Sequence, residues 1–409
     1  MRRLEPARPQ DVGLSIEGLE RVDAAVQACV DQGVLAGAVT LVARGGRLVR
    51  QTAMGLKDIE SGEPLAPDTI FRVFSMTKPV TASAMMILHD QGLWDLDDPV
   101  SRHLPEFADL RVFVERRPDG EIVTAPAERC PTMRELMTHT AGLGYGLQPG
   151  APVDDLYREA RVWKSASLAE LSARVAGLPL AYAPGEAWAY SIGMDIQGAI
   201  IERLSGRSLP DFMREKIFGP LGMVDTDFHT PPEKSRRLAT LYFDDGSSGL
   251  KPIANPLKRD DSAPPVLASG GGGLVSTAGD YARYAQMLLN EGEWDGRRVL
   301  SPQAVRLQMT NHLPDWMMQK GFGIGKQQIR PGFGIGLNGV VFTDPAAAGV
   351  PVGRGTYHWD GAAGTWFWAD PENDLLFVGM IQLMSQNAPP LQARTQTLMA
   401  GAIVGPART

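Results

Sequence analysis

Cysteine, basic clusters and long hydrophobic runs are all scarce in this sequence, and each scarcity narrows the range of functions. Only Cys29 and Cys130 are present. They form no metal-spaced cluster, and a single pair in so long a chain favours a reducing compartment. Lys and Arg number 40 against 47 Asp and Glu, for a formal net charge of -7 without a basic block. This balance argues against nucleic acid as a partner.

Membrane and metal signals are missing as well. No stretch reaches the roughly 18 uninterrupted apolar residues of a membrane-spanning helix. The opening residues, MRRLEPARPQDVG, contain arginines but lack the apolar segment of a secretory signal. No His-Glu-x-x-His motif or comparable cluster indicates a metal. We therefore expect a cytoplasmic protein with no membrane span, no metal and no cofactor.

The two ends of the chain carry the strand patterns. With 409 residues, the chain exceeds the ~250 to 300 residues at which single cores stop growing, so two domains or one large composite domain are expected. AVTLVARGGRLVRQTAMG predicts a β-hairpin around a Gly-Gly turn. TWFWAD and LLFVGMIQLM flank PEND as a second hairpin. A helix capped by Ser15 precedes the first hairpin, and a helix-like segment, LQARTQTLMAGAIV, follows the second.

The middle of the chain is mostly helical in pattern. Helices are predicted after Ser75, over Thr132 to His139 with a Thr132/Glu135 capping box, over Asp195 to Leu204 and over Asp280 to Asn290. The predicted fold class is α+β: an antiparallel sheet built from both termini and flanked by helices, with an inserted mainly helical domain. The expected boundaries are 1–72 with 316–409 for the sheet domain and 73–315 for the helical domain, with the active site in the cleft between them.

One stretch, FRVFSMTKPVTASAMMILHDQG, places Ser75 and Lys78 one helical turn apart at the start of a buried helix. Pro79 is tolerated only in a helix's first turn, and the following residues are apolar nearly all round. Burial lowers the pKa of a lysine, so Lys78 is a candidate to accept the Ser75 proton. The plain alternative, with Ser75 as a helix cap and Lys78 on the surface, fits this stretch equally well. A second Ser-x-x-Lys, Ser248 to Lys251, lies in a turn-rich segment and serves as a comparison.

Three segments in this order, SMTK, PGEAWAYSIG and HWDGAAGT, resemble the serine β-lactamase and penicillin-binding protein superfamily. The likeness is closest to class C-like members and family VIII carboxylesterases, and runs from about residue 15 to 385. It implies a β-lactamase/transpeptidase-like fold with Ser75 as acyl-accepting nucleophile, Lys78 as the neighbouring base and Tyr190 as a proton shuttle. The backbone N–H groups of Ser75 and Ala362 would form the oxyanion hole.

Two departures from the family pattern set the expected substrate. Trp359 stands where β-lactamases carry the lysine of Lys-Thr-Gly, and Ile192 stands where they carry the asparagine of Tyr-x-Asn. Neither side chain meets a lactam's carboxylate or side-chain amide, which favours esters. The predicted substrate-binding residues are Tyr182, Trp188, Ile192, Trp359, Asp360 and Gly361.

The sequence thus predicts a serine carboxylesterase for short to medium acyl esters, a small-molecule substrate, with acyl transfer to alcohols as an added activity. One alternative is a class C-like β-lactamase or D-amino-acid peptidase. A second is a non-catalytic scaffold of the same fold. The oligomeric state is not predicted.

Ordinary structural roles also fit several of these residues. Tyr190 fits a half-buried packing aromatic, and Gly361 fits a strand bend. His139 and His358 suggest a Ser-His-Asp triad, yet no Gly-x-Ser-x-Gly occurs and AYSIG, around Ser191, is the nearest match. A one-residue shift in strand register would turn the His358 imidazole toward the site.

Overall fold

The protein is described here by a computed structural model that covers residues 4–246, 249–324, 327–385 and 387–407. Within these residues the largest sheet has nine strands, drawn from both ends of the chain. Eight of them lie side by side in the order Glu5–Pro6, Arg47–Asp58, Gly37–Arg44, Leu375–Met380, Trp366–Asp370, Tyr357–Asp360, Gly339–Phe342 and Phe333–Gly336, and Glu63–Pro64 pairs with Arg47–Asp58. Neighbouring strands are antiparallel except Glu5–Pro6, which runs parallel to Arg47–Asp58. The predicted α+β class is confirmed.

Both predicted hairpins are present and lie next to each other in the sheet. The first turns at Gly45 and Gly46, with φ of 61° and 70°, the left-handed values that a two-residue hairpin turn requires. Strand Leu375–Met380 of the second hairpin pairs with Gly37–Arg44 of the first over six residues. This pairing joins the two ends of the chain into one sheet.

The terminal helices cover one face of the sheet. Helix Ile16–Asp31 begins at Ser15, whose Oγ accepts the Gly18 N–H at 3.0 Å, as the cap predicts. Helix Leu391–Ala400 packs beside it and ends four residues before the predicted end. Under both helices lie Trp366 and Trp368, buried in a separate apolar cluster.

The predicted central helices are also found, with shifted ends. They are Thr77–Asp90, Met133–Met137 with the Thr132/Glu135 capping box, Gly193–Ser205 and Ala278–Leu289. Other helices in the described parts of the chain are Val100–His103, Pro152–Glu159, Leu168–Ala176, Leu209–Met213, Gly219–Leu221, Pro302–Gln308, Asp315–Lys320 and Pro345–Ala348. Thr77–Asp90 packs against Gly193–Ser205 and Pro302–Gln308, which explains why it is apolar nearly all round.

Several short strands lie outside the largest sheet, and apart from Leu383–Met384, which is the end of LLFVGMIQLM, the sequence did not predict them. Arg111–Arg116 pairs with Ile122–Pro126 as a hairpin. Short pairs also form between Phe71–Arg72 and Val275–Ser276, Glu293–Trp294 and Arg297–Arg298, Phe322–Ile324 and Gln327–Ile329, and among Tyr242–Phe243, Lys251–Pro252 and Leu383–Met384. The boundaries given for the two domains stay a prediction.

None of the helices in the described segments combines the length and apolar character needed to cross a membrane. Both cysteines are free thiols: Cys29 is buried and Cys130 is half-buried.

Candidate active site

Ser75 lies where the backbone turns sharply into a buried helix. A 3-10 turn, Phe74–Met76, leads into helix Thr77–Asp90. Phe74 has a φ of 42°, a left-handed value that strains a residue with a Cβ and needs support from its surroundings. The N–H of Val73 bonds to the Leu274 carbonyl at 3.1 Å, and the N–H of Met76 bonds to the Val73 carbonyl at 3.0 Å. The turn places the half-buried Ser75 hydroxyl at the helix N-terminus, where developing negative charge is favoured.

Lys78 and Tyr190 both reach the Ser75 hydroxyl. Lys78 Nζ donates to Ser75 Oγ at 3.1 Å, and Tyr190 Oη donates to the same oxygen at 2.8 Å. Lys78 Nζ also lies 4.6 Å from the centre of the Tyr190 ring. Three groups able to exchange a proton therefore meet at one oxygen, as a serine nucleophile requires.

Burial sets the protonation of this group. Lys78 is fully buried, and loss of hydration lowers its pKa to about 7, while the negative charges of Asp195 and Asp360 oppose the fall. Burial raises the pKa of Tyr190, and its hydrogen bond to Ser75 opposes the rise. At pH 7 the amine and ammonium forms of Lys78 are therefore present in similar amounts, while Tyr190 keeps its proton.

Two further groups, which the sequence analysis did not identify, hold the Lys78 side chain. Lys78 Nζ donates to the Gly271 carbonyl at 2.6 Å and to Tyr145 Oη at 3.3 Å. Gly271 belongs to the four-glycine run at 270–273. A Cβ at Gly270 would lie 2.5 Å from the Met194 carbonyl oxygen, so this backbone passes too close to its neighbours for a side chain. The four consecutive glycines were the signal available in the sequence for such a close approach.

The predicted oxyanion-hole residue Ala362 follows strand Tyr357–Asp360 and lines the same cavity as Ser75. Its N–H has no hydrogen-bond acceptor among the residues that the structure describes. A Cβ on Gly361 would lie 2.4 Å from the carbonyl oxygen of Val73. Gly361 thus lets the turn that carries Ala362 press against the chain just before Ser75.

Trp359 and Asp360 end the strand beside Tyr190. Trp359 is 4% exposed, and its ring centre lies 6.1 Å from that of Tyr190. Its indole N–H finds no acceptor within the described part of the chain. Asp360 is accessible to solvent, but surrounding protein reduces its hydration and raises its pKa to about 6, against the pull of the Lys78 charge.

Three other predicted substrate-binding residues, Trp188, Tyr182 and Ile192, pack against other parts of the protein. Trp188 is half-buried and stacks on Phe322 with ring centres 4.6 Å apart. Tyr182 donates its hydroxyl to the His139 carbonyl at 3.2 Å, and Ile192 is fully buried in the main core. All three contact other protein groups, and their role in substrate binding stays a prediction.

A large cavity opens above Ser75, with a volume of about 990 Å³. Its lining is mainly apolar and includes Phe74, Tyr145, Leu147, Trp163, Tyr190, Pro256, Leu257, Pro264, Pro265, Val266, Leu267 and Met384. We call Ser75, Lys78 and Tyr190 the floor of this cavity, and residues 256–267 its wall loop. The sequence analysis did not identify the wall loop.

The wall loop is tied to the floor through one buried carboxylate. Asp261 pairs with Arg72 at 2.7 Å and with Arg259 at 3.0 Å. It also accepts the Asn255 side-chain N–H at 2.7 Å. Because Arg72 lies three residues before Ser75, Asp261 connects the wall loop to the segment that carries Ser75.

His139 and Ser191 touch, but not in a way that supports a triad. Ser191 Oγ lies 3.0 Å from His139 Nδ1, which also accepts the Ser191 backbone N–H at 3.0 Å. Both side chains are buried, and no carboxylate within the described residues meets Nε2. A nucleophile needs an accessible oxygen and an oriented base, and this pair offers neither.

His358 faces the opposite side of the strand from Trp359. Its Nδ1 meets the Gln392 side-chain nitrogen of the C-terminal helix at 2.8 Å, and its ring stacks on Phe342 with centres 5.0 Å apart. Adjacent strand residues point to opposite faces, so this register brings Trp359, not the imidazole, to Tyr190.

The described residues hold no group of three or more His, Cys, Asp or Glu side chains arranged to bind a metal ion. Ser248, from the second Ser-x-x-Lys, lies outside the described residues, and its partner Lys251 is exposed.

Comparison with known proteins gives consistent matches over nearly the whole chain. The family model described as Beta-lactamase matches residues 22–402. Esterase EstB of Burkholderia gladioli is 34% identical over 85% of this chain and 86% of its own. The structure of EstCE1, "a hydrolase with promiscuous acyltransferase activity", covers 96% of this chain and 100% of its own at 28% identity and a TM-score of 0.77. Unliganded simvastatin synthase (LovD) of Aspergillus terreus covers 95% and 98% at 25% identity and a TM-score of 0.78.

Proposed function

The chain belongs to the beta-lactamase family, and from this premise we propose that it is a serine carboxylesterase forming an acyl-enzyme on Ser75. The observation that carries the proposal is the meeting of Lys78 Nζ and Tyr190 Oη at Ser75 Oγ, at 3.1 and 2.8 Å, below an apolar cavity. The homologous esterase and hydrolase support the same reaction class.

In the first half-reaction Ser75 Oγ attacks the ester carbonyl carbon and gives its proton to the Lys78 amine. The negative charge that develops on the carbonyl oxygen is held by the backbone N–H groups of Ser75 and Ala362. As the tetrahedral intermediate collapses, the bond to the alcohol oxygen breaks. Tyr190 gives its proton to that oxygen and is reprotonated from Lys78.

In the second half-reaction water attacks the acyl group on Ser75. Lys78 and Tyr190 take the water proton and return one to Ser75 Oγ, which releases the acid. Replacing water by an alcohol turns the same step into acyl transfer. The homologue described as having promiscuous acyltransferase activity supports this second outcome.

The substrate we propose is an apolar ester of short to medium acyl chain. A cavity of about 990 Å³ is at the upper end of ligand-pocket sizes. It therefore also has room for a bulky alcohol group. Trp359 and Ile192 offer no charge or amide partner to a β-lactam, which supports an ester over the lactamase or peptidase alternative. The accessible Ser75 hydroxyl argues against a non-catalytic scaffold. The domain division and the cytoplasmic location remain proposals.

The test combines labelling with a substrate comparison. A fluorophosphonate probe is expected to label Ser75, and labelling at Ser191 would contradict the assignment. For p-nitrophenyl butyrate against a chromogenic cephalosporin, we expect kcat/KM to favour the ester by about 10²-fold, as two lost contacts predict. Turnover of the cephalosporin at an equal or higher kcat/KM would contradict the proposed esterase activity and favour the β-lactamase alternative.

A further inference from the structure

A second buried carboxylate lies behind the floor. Asp195, in the first turn of helix Gly193–Ser205, is fully buried. Its Oδ1 accepts the Ser269 hydroxyl at 2.6 Å and the Gly271 N–H at 3.3 Å. The carboxylate therefore holds the short segment that runs from Ser269 to Gly271.

That segment in turn holds Lys78. The Gly271 carbonyl accepts a hydrogen bond from Lys78 Nζ at 2.6 Å, shorter than the contacts of this nitrogen with Ser75 and Tyr145. A Cβ on Gly271 would lie 2.8 Å from Asp195 Oδ2 and 3.0 Å from Tyr145 Oη. Carboxylate, phenol and lysine thus surround one glycine, and a shift of that glycine would move the lysine.

The second carboxylate oxygen has a different environment. Asp195 Oδ2 is buried and meets no hydrogen-bond donor among the residues that the structure describes. A buried carboxylate that is only half hydrogen-bonded is unfavourable unless a nearby positive charge offsets it. Lys78 supplies that charge: burial raises the pKa of Asp195 and the lysine lowers it, while the carboxylate acts in the opposite sense on Lys78.

We propose that Asp195 is a positioning residue that fixes the Gly271 carbonyl beneath Lys78 and lends its negative charge to the lysine. The inference rests on the function proposed above and adds a residue to it. Without this carboxylate Lys78 would release its proton at lower pH and would be less well aimed at Ser75.

Other titratable groups also face Lys78, and they define the controls. Asp360 comes from the sheet, His139 and Tyr145 from the segment after the capping-box helix, and Tyr190 from the second motif. Asp360 is accessible to solvent, so its charge is screened more than that of Asp195. Asp360→Asn should therefore move the Lys78 titration less than Asp195→Asn.

The experiment measures kcat/KM for p-nitrophenyl butyrate and the rate of fluorophosphonate labelling of Ser75 from pH 5 to 9. In Asp195→Asn, which keeps an oxygen for Ser269 and Gly271, we expect the midpoint of the acid limb to fall by at least about one pH unit in both assays. The plateau should fall much less than in Ser75→Ala. An unchanged midpoint in a folded variant would overturn the proposal.

Two controls separate charge from hydrogen bonding. Ser269→Ala removes two hydrogen bonds, one to Asp195 Oδ1 and one from the Gly271 N–H, but keeps the carboxylate, so the plateau should fall while the midpoint stays. Asp154→Asn changes another buried carboxylate, which accepts the N–H groups of Tyr145, Leu147 and Gln148, and should also leave the midpoint unchanged. An Asp154→Asn shift as large as that of Asp195→Asn would contradict a specific role for Asp195.

A further variant keeps the proposal testable if Asp195→Asn does not fold. Gly271→Ala adds a Cβ that must displace the carboxylate or the Tyr145 hydroxyl, so the midpoint should move, and a wild-type midpoint would contradict the proposal. Failure of the wild-type protein to label at Ser75 would overturn the proposed function and this inference together. Normal labelling with an unshifted Asp195→Asn would overturn the inference alone.

Discussion

The floor and the wall loop of the cavity are built in opposite ways. On the floor, Lys78 in a buried helix and the buried hydroxyl of Tyr190 are held within hydrogen-bond reach of Ser75. In the wall loop, Leu257 and Val266 are 46% and 81% exposed, and the loop is anchored mainly through Asp261. For the proposed esterase we therefore expect catalysis to depend on the fixed geometry of the floor and substrate choice to depend on the more exposed wall loop. Changes on the floor should therefore affect kcat, and changes in the wall loop should affect KM.

The largest expected effect comes from removing the nucleophile. Ser75→Ala should lower kcat/KM for p-nitrophenyl butyrate by about 10⁴-fold or more, because no acyl-enzyme can form. Steady-state kinetics with Ser191→Ala as the matched serine control measures this. A comparable loss in folded Ser191→Ala would transfer the nucleophile to the His139 pair.

Next in size is the loss of the Tyr190 hydroxyl. Tyr190→Phe keeps the ring that packs against Trp188 and Trp359 but removes the proton on its oxygen, so kcat should fall about 10²- to 10⁴-fold with a small change in KM. Tyr182→Phe, which also removes a phenol hydroxyl nearby, serves as the control. A change confined to KM in Tyr190→Phe would mean that this hydroxyl binds substrate and transfers no proton.

The pH dependence of kcat/KM should follow the protonation of Lys78. Burial lowers the pKa of Lys78 to about 7, and only the neutral amine accepts the Ser75 proton. Below pH 7, kcat/KM should therefore drop about tenfold per pH unit, and it should level off above pH 8. A rate profile flat from pH 5 to 8 would show that Lys78 stays unprotonated or takes no part.

The smallest effect should come from the wall loop. Val266→Ser removes an apolar side chain that lines the cavity, so KM for a decanoyl ester should rise several-fold, the size expected for partial loss of one aliphatic contact. KM for an acetyl ester and kcat for both should change little. Val404→Ser alters a valine that is 67% exposed away from the cavity and is the matched control. A large fall in kcat for Val266→Ser would remove the distinction between floor and wall loop.

Local pattern was enough to predict the framework of the molecule. The Gly45-Gly46 turn, the Ser15 cap and the Thr132/Glu135 capping box act over a few residues, so their positions follow from spacing alone. Ser75, in the turn before helix Thr77–Asp90, and Lys78, in its first turn, are neighbours for the same reason. The resemblance to a known family added Tyr190 and Ala362 to this pair.

The parts that sequence reasoning missed depend on long-range contacts. Tyr145 and Gly271 reach Lys78 from 67 and 193 residues away. The glycine run indicates a close backbone approach, but nothing in the sequence shows that it approaches Lys78. The wall loop is rich in proline and its apolar residues follow no helical or strand period. Nothing in its sequence therefore showed which core or cavity it faces. The pairing register of strand Tyr357–Asp360 turns the Trp359 side chain, and not the His358 imidazole, toward Tyr190. A register shift of one residue would have exchanged the two side chains.

The pairing of Gly37–Arg44 with Leu375–Met380 has a consequence for synthesis. During translation the first hairpin is synthesised long before its partner strand, Leu375–Met380. At ~5 to 20 residues per second, this delay lasts tens of seconds. During that time a long apolar strand edge is open to other nascent chains. The turn that carries Ala362 is also synthesised long after the first hairpin, so a chain interrupted before this turn is expected to be both aggregation-prone and inactive. Ester turnover in cell-free translation should therefore begin only after this turn has been synthesised.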